Sequence, residues 1–192
     1  MELRYEIQFL SEWHCGSGLS GGAEADATVL KDNNNLPYIP GKTIKGLLKE
    51  ALEEIYEVNP NKEENLRLVI NGLLGYEIKD KENKKVIETK SGNAFFSNAT
   101  LSEKEKEDIT PDLSDFLYRN IASTQIDSKG VAKATSLRVM EVCIPIKLEG
   151  KITGISSPDQ LDLLTKALQW VRHLGVNRNR GLGRCQFTIT SN

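Results

Sequence analysis

The sequence predicts an α+β fold with a ferredoxin-like β-α-β-β-α-β core, carrying loop insertions and one protruding hairpin. Three observations lead there. Apolar and polar residues alternate near both ends of the chain, through Leu3, Tyr5, Ile7 and Phe9 and through Cys185, Phe187 and Ile189. That period of two puts one strand face on a core and the other in water. Two segments, one in each half, carry the stripe of an amphipathic helix, and strand-like segments with a turn-centred hairpin lie between them. At 192 residues, with 39% hydrophobic and 27% charged residues, the chain suits one domain over 1-192 with a real core, not a disordered tail or a fibre.

Each element follows in order. Leu3 to Phe9 is the first strand. Residues 11–35 form a long excursion crowded with Gly16, Gly18, Gly21 and Gly22, the kind of loop that often carries function. After Pro37-Tyr38-Ile39-Pro40-Gly41, apolar residues at 44, 47, 48, 51, 52 and 55 predict a helix over Lys42 to Tyr56. The polar stretch 59–93 reads as an insertion, mostly loop around the apolar patch Leu68 to Leu74. Residues 94–101 read as a strand, and 102–114 as a solvated turn or helix. A thumb-like hairpin is expected at about 118–140, with arms Ile121 to Ile126 and Val131 to Val139 around the turn signal Asp127-Ser128-Lys129-Gly130. Val142, Ile144, Ile146 and Leu148 alternate as a core strand ending at Glu149-Gly150. Ser157-Pro158-Asp159-Gln160 is a capping box opening a second helix that runs to about His173. The last strand starts at Cys185.

The net charge of -2 excludes a globally basic coat protein and turns attention to local basic faces. Three cysteines at 15, 143 and 185 match no CxxC or zinc-ribbon spacing, so neither a disulfide framework nor a structural zinc site is expected. No apolar run could span a bilayer, and Met1 to Glu6 lacks the layout of a signal peptide. A cytoplasmic location and no membrane partner are expected.

Residues 175–184 place Gly175, Gly181 and Gly183 among Arg178, Arg180 and Arg184. Glycines let backbone N–H groups approach an oxyanion, and guanidinium forks bind phosphate in a plane. The segment reads either as a phosphate cradle or as a basic loop that solvates itself. Lys42, Lys45 and Lys49 stand at i, i+3 and i+7 on the first helix, either a phosphate-tracking ridge or an ordinary polar face. Asp26 and Asp32, with Glu24 nearby, could hold a hydrated divalent metal or simply meet solvent. His14 and His173 are the only histidines, each a candidate general base, with no catalytic spacing around either. No Walker or dinucleotide fingerprint is present.

The run Gly21-Gly22-Ala23-Glu24-Ala25-Asp26-Ala27-Thr28-Val29-Leu30-Lys31-Asp32, followed by Leu36-Pro37-Tyr38-Ile39-Pro40-Gly41-Lys42-Thr43-Ile44-Lys45-Gly46-Leu47-Leu48-Lys49, resembles the signature of RAMP-superfamily proteins of CRISPR systems. Leu174 to Arg184 resembles that family's glycine-rich loop. Residues 94–99 and 126–133 add weaker likeness. The whole resembles the backbone subunit, Cas-seven type, of type III effector complexes. Family likeness implies an RRM-like core that polymerises with copies of itself or its paralogues and with other effector subunits along a CRISPR guide RNA. It further implies guide contacts through Lys42, Lys45, Lys49, Arg178, Arg180, Arg184, Gly175, Gly181 and Gly183. The thumb hairpin, with Ile126, Asp127, Lys129 and Lys133 near its tip, would intrude into the guide–target duplex. Asp26 matches the aspartate that promotes cleavage of target RNA with Mg²⁺ or another divalent metal. Two alternatives stand beside this endoribonuclease: a non-cleaving structural subunit of the same assembly, and a guide-processing endonuclease using His14.

Overall fold

Strand β1 (Leu3–Phe9) is the centre of the molecule. Its odd-numbered residues Leu3, Tyr5, Ile7 and Phe9 are buried, while Arg4, Glu6 and Gln8 face outward. The computed structural model describes residues 1–18, 22, 25–58, 64–80 and 85–190, without the Lys79 side chain. Gly21, Glu24 and the loop residues Asn59, Pro60 and Asn61 lie outside the described residues.

Strands β7 (Lys147–Thr153) and β8 (Cys185–Thr190) flank β1 on either side, both antiparallel, with Ile7 opposite Leu148 on one and Phe187 on the other. The two-residue strand β4 (Phe95–Phe96) pairs antiparallel with β7, giving the sheet order β4-β7-β1-β8. In chain order those are the second, third, first and last core strands, the arrangement of a ferredoxin-like sheet. Two helices cover the apolar face. Helix α1 (Gly41–Val58) presents Ile44, Leu48, Ala51 and Leu52, and α5 (Pro158–Trp170) presents Leu163, Leu164, Ala167 and Leu168, all within one apolar cluster with the sheet. Burying a leucine or isoleucine of this kind contributes roughly 1.5–3 kcal/mol.

The proline-rich stretch before α1 has a geometric cause. Ile39 is fully buried and exchanges backbone hydrogen bonds with Ala99, at 2.9 Å in each direction. Gly41 N–H donates to Asn98 Oδ1 at 2.9 Å. A Cβ on Gly41 would overlap the Phe96 carbonyl. The sequence therefore needs glycine where the helix start lies against the edge of β4.

Several elements differ from the expectation. Residues expected as loop form helix α2 (Glu64–Leu74), whose Ile70, Leu73 and Leu74 join the core, followed by the hairpin β2 (Gly75–Lys79) and β3 (Val86–Ser91). The apolar patch was visible in sequence, but its helical period is short and flanked by polar residues. Residues 102–114, expected as a solvated turn or helix, do form two short, largely exposed helices, α3 (Glu103–Asp108) and α4 (Pro111–Ser114), the first closed by a reciprocal Ser102/Glu105 capping box. The expected strand through Val142 to Leu148 is broken. Strand β6 (Arg138–Cys143) ends before Pro145, which lacks the N–H a ladder needs, and β7 restarts at Lys147. The hairpin ladder is β5 (Tyr118–Ser123) against β6; beyond it only Ile126 and Ala132 pair. Helix α5 starts as expected, with Ser157 Oγ accepting from Gln160 N–H at 3.3 Å, although the Gln160 side chain reaches Ser156 N–H instead of completing the box. It ends at Trp170, three residues before the expected end.

Replacing Gly41 by alanine would force backbone apart at the α1 start. Overpacking of this kind costs roughly 1–3 kcal/mol, so Gly41→Ala is expected to lower the urea midpoint clearly, with a smaller effect from Gly46→Ala, where an added Cβ meets open space.

Candidate nucleic-acid interface

The excursion after β1 does not hang free. Residues 26–29 lie parallel along β6: Asp26 N–H donates to the Val139 carbonyl at 2.8 Å, and Glu141 N–H donates to the Ala27 carbonyl at 3.0 Å. The side chain of Asp26 completes this pairing, its Oδ2 accepting from Val139 N–H at 2.7 Å. Asp26 is exposed as a residue, and one of its carboxylate oxygens is bound to the outer part of the hairpin ladder.

Glu141 is the pin of the arrangement. Its carboxylate accepts from Val29 N–H and from Lys31 Nζ, each at 2.8 Å. Its carbonyl meets His14 Nδ1 at 2.7 Å. Lys31 Nζ in turn sits 3.7 Å from the centre of the Tyr118 ring, whose hydroxyl donates to the Asn35 carbonyl at 2.7 Å. Burial, reinforced by nearby Cys143 and the carboxylate of Glu141, pushes the Tyr118 phenol well above its usual range. Asp32 has a different role from Asp26: its Oδ1 accepts from Asn34 and Leu36 N–H, both at 2.9 Å, closing a tight turn.

The glycine-rich loop is bound to the same region from the other side. Val176 N–H donates to the His14 carbonyl at 3.1 Å, Gly183 N–H to the Glu12 carbonyl at 2.7 Å, and Leu174 N–H to the Gly183 carbonyl at 2.8 Å. Gly175 and Gly183 have positive φ of 97° and 70°, and a Cβ on either would overlap a backbone carbonyl, of His14 or Leu174. These two glycines close the loop. Gly181, with φ 86° and open space around it, leaves its backbone accessible. Arg178 lies 3.7 Å from Glu50 on α1, while Arg180 and Arg184 are exposed. Lys42 and Lys49 are exposed on α1 and Lys45 half-buried. The Arg178–Glu50 contact brings the loop against the helix that bears the lysines. Glu12 also ion-pairs with Arg119 on β5, so one residue touches both the loop and the hairpin.

At the hairpin tip, Asp127 Oδ1 accepts from Lys129 N–H at 2.8 Å and Val131 N–H at 3.0 Å. That turn leaves Ile126, Val131 and Leu137 exposed, apolar side chains on a projecting arm. Lys133 is exposed beside them.

His14 is 3% exposed and its Nδ1 is committed to Glu141. His173 is half-buried and pairs through its backbone with Arg184. The three cysteines are buried and free. Burial pushes the Cys15 and Cys143 thiols up, and that of Cys185 up to about 12. Among the described residues, no group of three or more His, Cys, Asp or Glu side chains could hold a metal. A lone carboxylate such as Asp26 nevertheless suits Mg²⁺, which keeps several waters and takes one or two protein carboxylates together with substrate phosphates. Sequence reasoning missed Glu141, Lys31 and Tyr118. Glu141 lies 110 residues from Lys31, and no spacing rule joins them.

The chain thus combines an α+β core, a hairpin, an aspartate bonded near the outer end of the hairpin ladder and a basic glycine loop. The sequence matches the family model of the RAMP superfamily over residues 6–186, and the chain belongs to that superfamily. In fold it is similar to a subunit chain in the structure described as the Type III-B Cmr-beta bound to cognate target RNA, with TM-score 0.71 and 13% identity over 98% of this chain and 97% of that one. It is also similar to a chain of Type III-B Cmr-beta in the apo state, with TM-score 0.70 and 14% identity over 100% and 98% of the two chains. No curated protein sequence matches. No helix among the described residues is long and apolar enough to cross a membrane.

Truncating Glu141 would strand Val29 N–H and the Lys31 ammonium in a half-buried site. Loss of charge-assisted hydrogen bonds costs roughly 1.5–3 kcal/mol, so Glu141→Ala is expected to destabilise by about that much in urea titration. Glu141→Gln, which keeps an acceptor for Val29, is expected to lose about half.

Proposed function

We propose that this chain is a guide-RNA-binding backbone subunit of a type III CRISPR ribonucleoprotein, and that it cleaves target RNA at regular intervals with a divalent metal, through Asp26. One observation carries the reading: the Asp26 carboxylate is bonded to Val139 N–H at 2.7 Å, near the outer end of the β5–β6 ladder where the hairpin tip begins. Whatever nucleotide the hairpin displaces is then met by that carboxylate.

The chemistry suits the residues. Lys42, Lys45, Lys49, Arg178, Arg180 and Arg184 offer cations on α1 and the adjoining loop for guide phosphates, and Gly181 leaves backbone open beside them. Base pairing with the guide reads target sequence, and the protein reads the backbone. The apolar tip side chains Ile126 and Val131 can stand in for a base pair that is opened, with Lys129 and Lys133 against phosphate. A nucleotide out of the stack can bring its 2'-hydroxyl in line with the adjacent phosphorus. Attack forms the 2'-O–P bond, breaks the P–O5' bond and leaves a 2',3'-cyclic phosphate and a 5'-hydroxyl. Asp26 orients the attacking hydroxyl or accepts its proton, while Val139 N–H holds one carboxylate oxygen still, and water protonates the leaving 5'-oxygen. A divalent ion held by Asp26 and RNA phosphates would neutralise charge developing on the phosphoryl oxygens. The partners are guide RNA, target RNA, other effector subunits and further copies or paralogues of this chain, in the cytoplasm.

The guide-processing alternative is disfavoured by His14, whose ring is buried and tied to Glu141. The non-cleaving subunit differs only in the behaviour of Asp26. The test is cleavage of labelled complementary RNA by the guide-loaded complex in Mg²⁺. Asp26→Ala is expected to lower the rate by about 10²-fold or more, within the range for losing a general base, with guide and target binding unchanged. Asp32→Ala is expected to keep the cutting pattern. Equal cutting by the wild type and Asp26→Ala would leave a purely structural subunit.

A further inference from the structure

Two exposed apolar surfaces are not among the groups assigned to RNA above, although Trp170 and Arg172 also border the cleft that holds Arg178. Trp170, the last residue of α5, is 47% exposed, and its indole N–H donates to Glu54 Oε2 at 2.7 Å, which fixes the ring. It walls a groove of about 530 Å³ with Ile55, Gln169, Lys166 and Arg172, apolar in its floor and basic at its rim. Elsewhere, Phe116 is 74% exposed and Leu113 50% exposed, on either side of Ser114 and Asp115. They end the segment 102–116, which holds six carboxylates against two lysines. Among the described residues no ring or cation stacks on Phe116 or Trp170.

The two surfaces are complementary in both respects that matter for association. One is a protruding phenyl and leucyl pair with Asp112 and Asp115 beside it, and the other is a groove with an aromatic wall and a cationic rim. Buried aromatic anchors dominate interface energies, and opposite rims set orientation. They are distinct patches, one on the segment after β4 and one at the end of α5. A contact between them can repeat head to tail from copy to copy.

Resting on the reading that copies of this chain stand side by side on RNA, we propose that the contact between neighbours seats Phe116 and Leu113 of one copy in the Trp170 groove of the next. Asp112 and Asp115 then face Lys166 and Arg172. The ion pair Lys166–Asp162, 2.6 Å long with both side chains more than half exposed, is loose enough to exchange.

The test is self-association of the full chain by sedimentation, alone and with a single-stranded RNA of about 40 nucleotides. Phe116→Asp is expected to weaken association at least about thirtyfold, the loss of one hot-spot residue, with the thermal midpoint unchanged because the side chain is exposed. Asp112→Arg and Arg172→Glu are each expected to weaken it, and an equal mixture of the two variants to recover part of it. A second readout uses Phe116→Cys mixed with Gln169→Cys and a short bis-maleimide, since the native thiols are buried. The mixture is expected to yield a cross-linked dimer that neither variant yields alone. Wild-type assembly on RNA with no change in Phe116→Asp and no cross-link specific to the mixture would overturn the contact, leaving the groove to another protein. Failure of the wild type to assemble on RNA at all would instead overturn the functional reading on which it rests.

Discussion

Glu141 occupies a strand position followed by two buried residues, Val142 and Cys143, and its own side chain is only 15% exposed. A carboxylate there is tolerable because the excursion after β1 supplies both a backbone N–H and an ammonium to it. Desolvating an unpaired charge would cost several kcal/mol, so the pairing holds residues 26–31 against β6. Asp26 inherits its position from that contact. Its own hydrogen bond to Val139 fixes the carboxylate, but the register in which it lies is set two and three residues further on. The same carboxylate steadies Lys31 over Tyr118, and the Glu141 carbonyl holds His14, whose own carbonyl anchors the glycine-rich loop. Excursion, hairpin and loop thereby share one anchor.

Much of the fold was legible because its cause is local. The alternation of Leu3, Tyr5, Ile7 and Phe9 needs no knowledge of partners to be read as a half-buried strand, and the 44, 47, 48, 51 stripe gives α1 directly. The cap at Ser157 is equally local. What failed was local sequence with a non-local outcome. Val142 to Leu148 alternates well enough for one strand, yet Pro145 divides it, so that one part serves the hairpin and the other the sheet. Helix α2 is stabilised by contact with α1 and α5, which its own short apolar patch does not announce. At the site, the resemblance pointed to Asp26, but nothing in the spacing indicated that Val139 would hold it. Gly175 and Gly183 have a packing reason that sequence did not announce: a Cβ on either would meet a backbone carbonyl.

The RNA reading depends on the top of the sheet and not on its open face. In RRM-like domains that bind single strands on the sheet, aromatic side chains stack the bases. Here the outward positions of β1 and β7 are Arg4, Glu6, Gln8, Lys147, Glu149 and Lys151, with Lys147 paired to Glu6 and Arg4 to Glu2. Ion pairs fill the middle of that face, and its one exposed aromatic among the described residues of the four strands is Phe95 on the edge strand β4. The cations of α1 and the glycine loop, and the apolar hairpin tip, are the groups left for RNA. A net charge of -2 does not set the local field: acid is dense in places such as 102–116, while 178–184 carries three arginines, of which Arg178 meets Glu50.

In the proposed function the hairpin and Asp26 act as one unit on the target. Shortening the hairpin tip tests this, replacing residues 124–136 by an Asn-Gly turn while keeping β5, β6 and the Asp26–Val139 and Glu141–Lys31 contacts. Cut positions are then mapped on a long complementary RNA bound to the guide-loaded complex. Target is expected to stay bound while the regular ladder of cuts is lost, because no nucleotide is displaced toward an intact carboxylate. The same ladder at the same positions would refute the joint role.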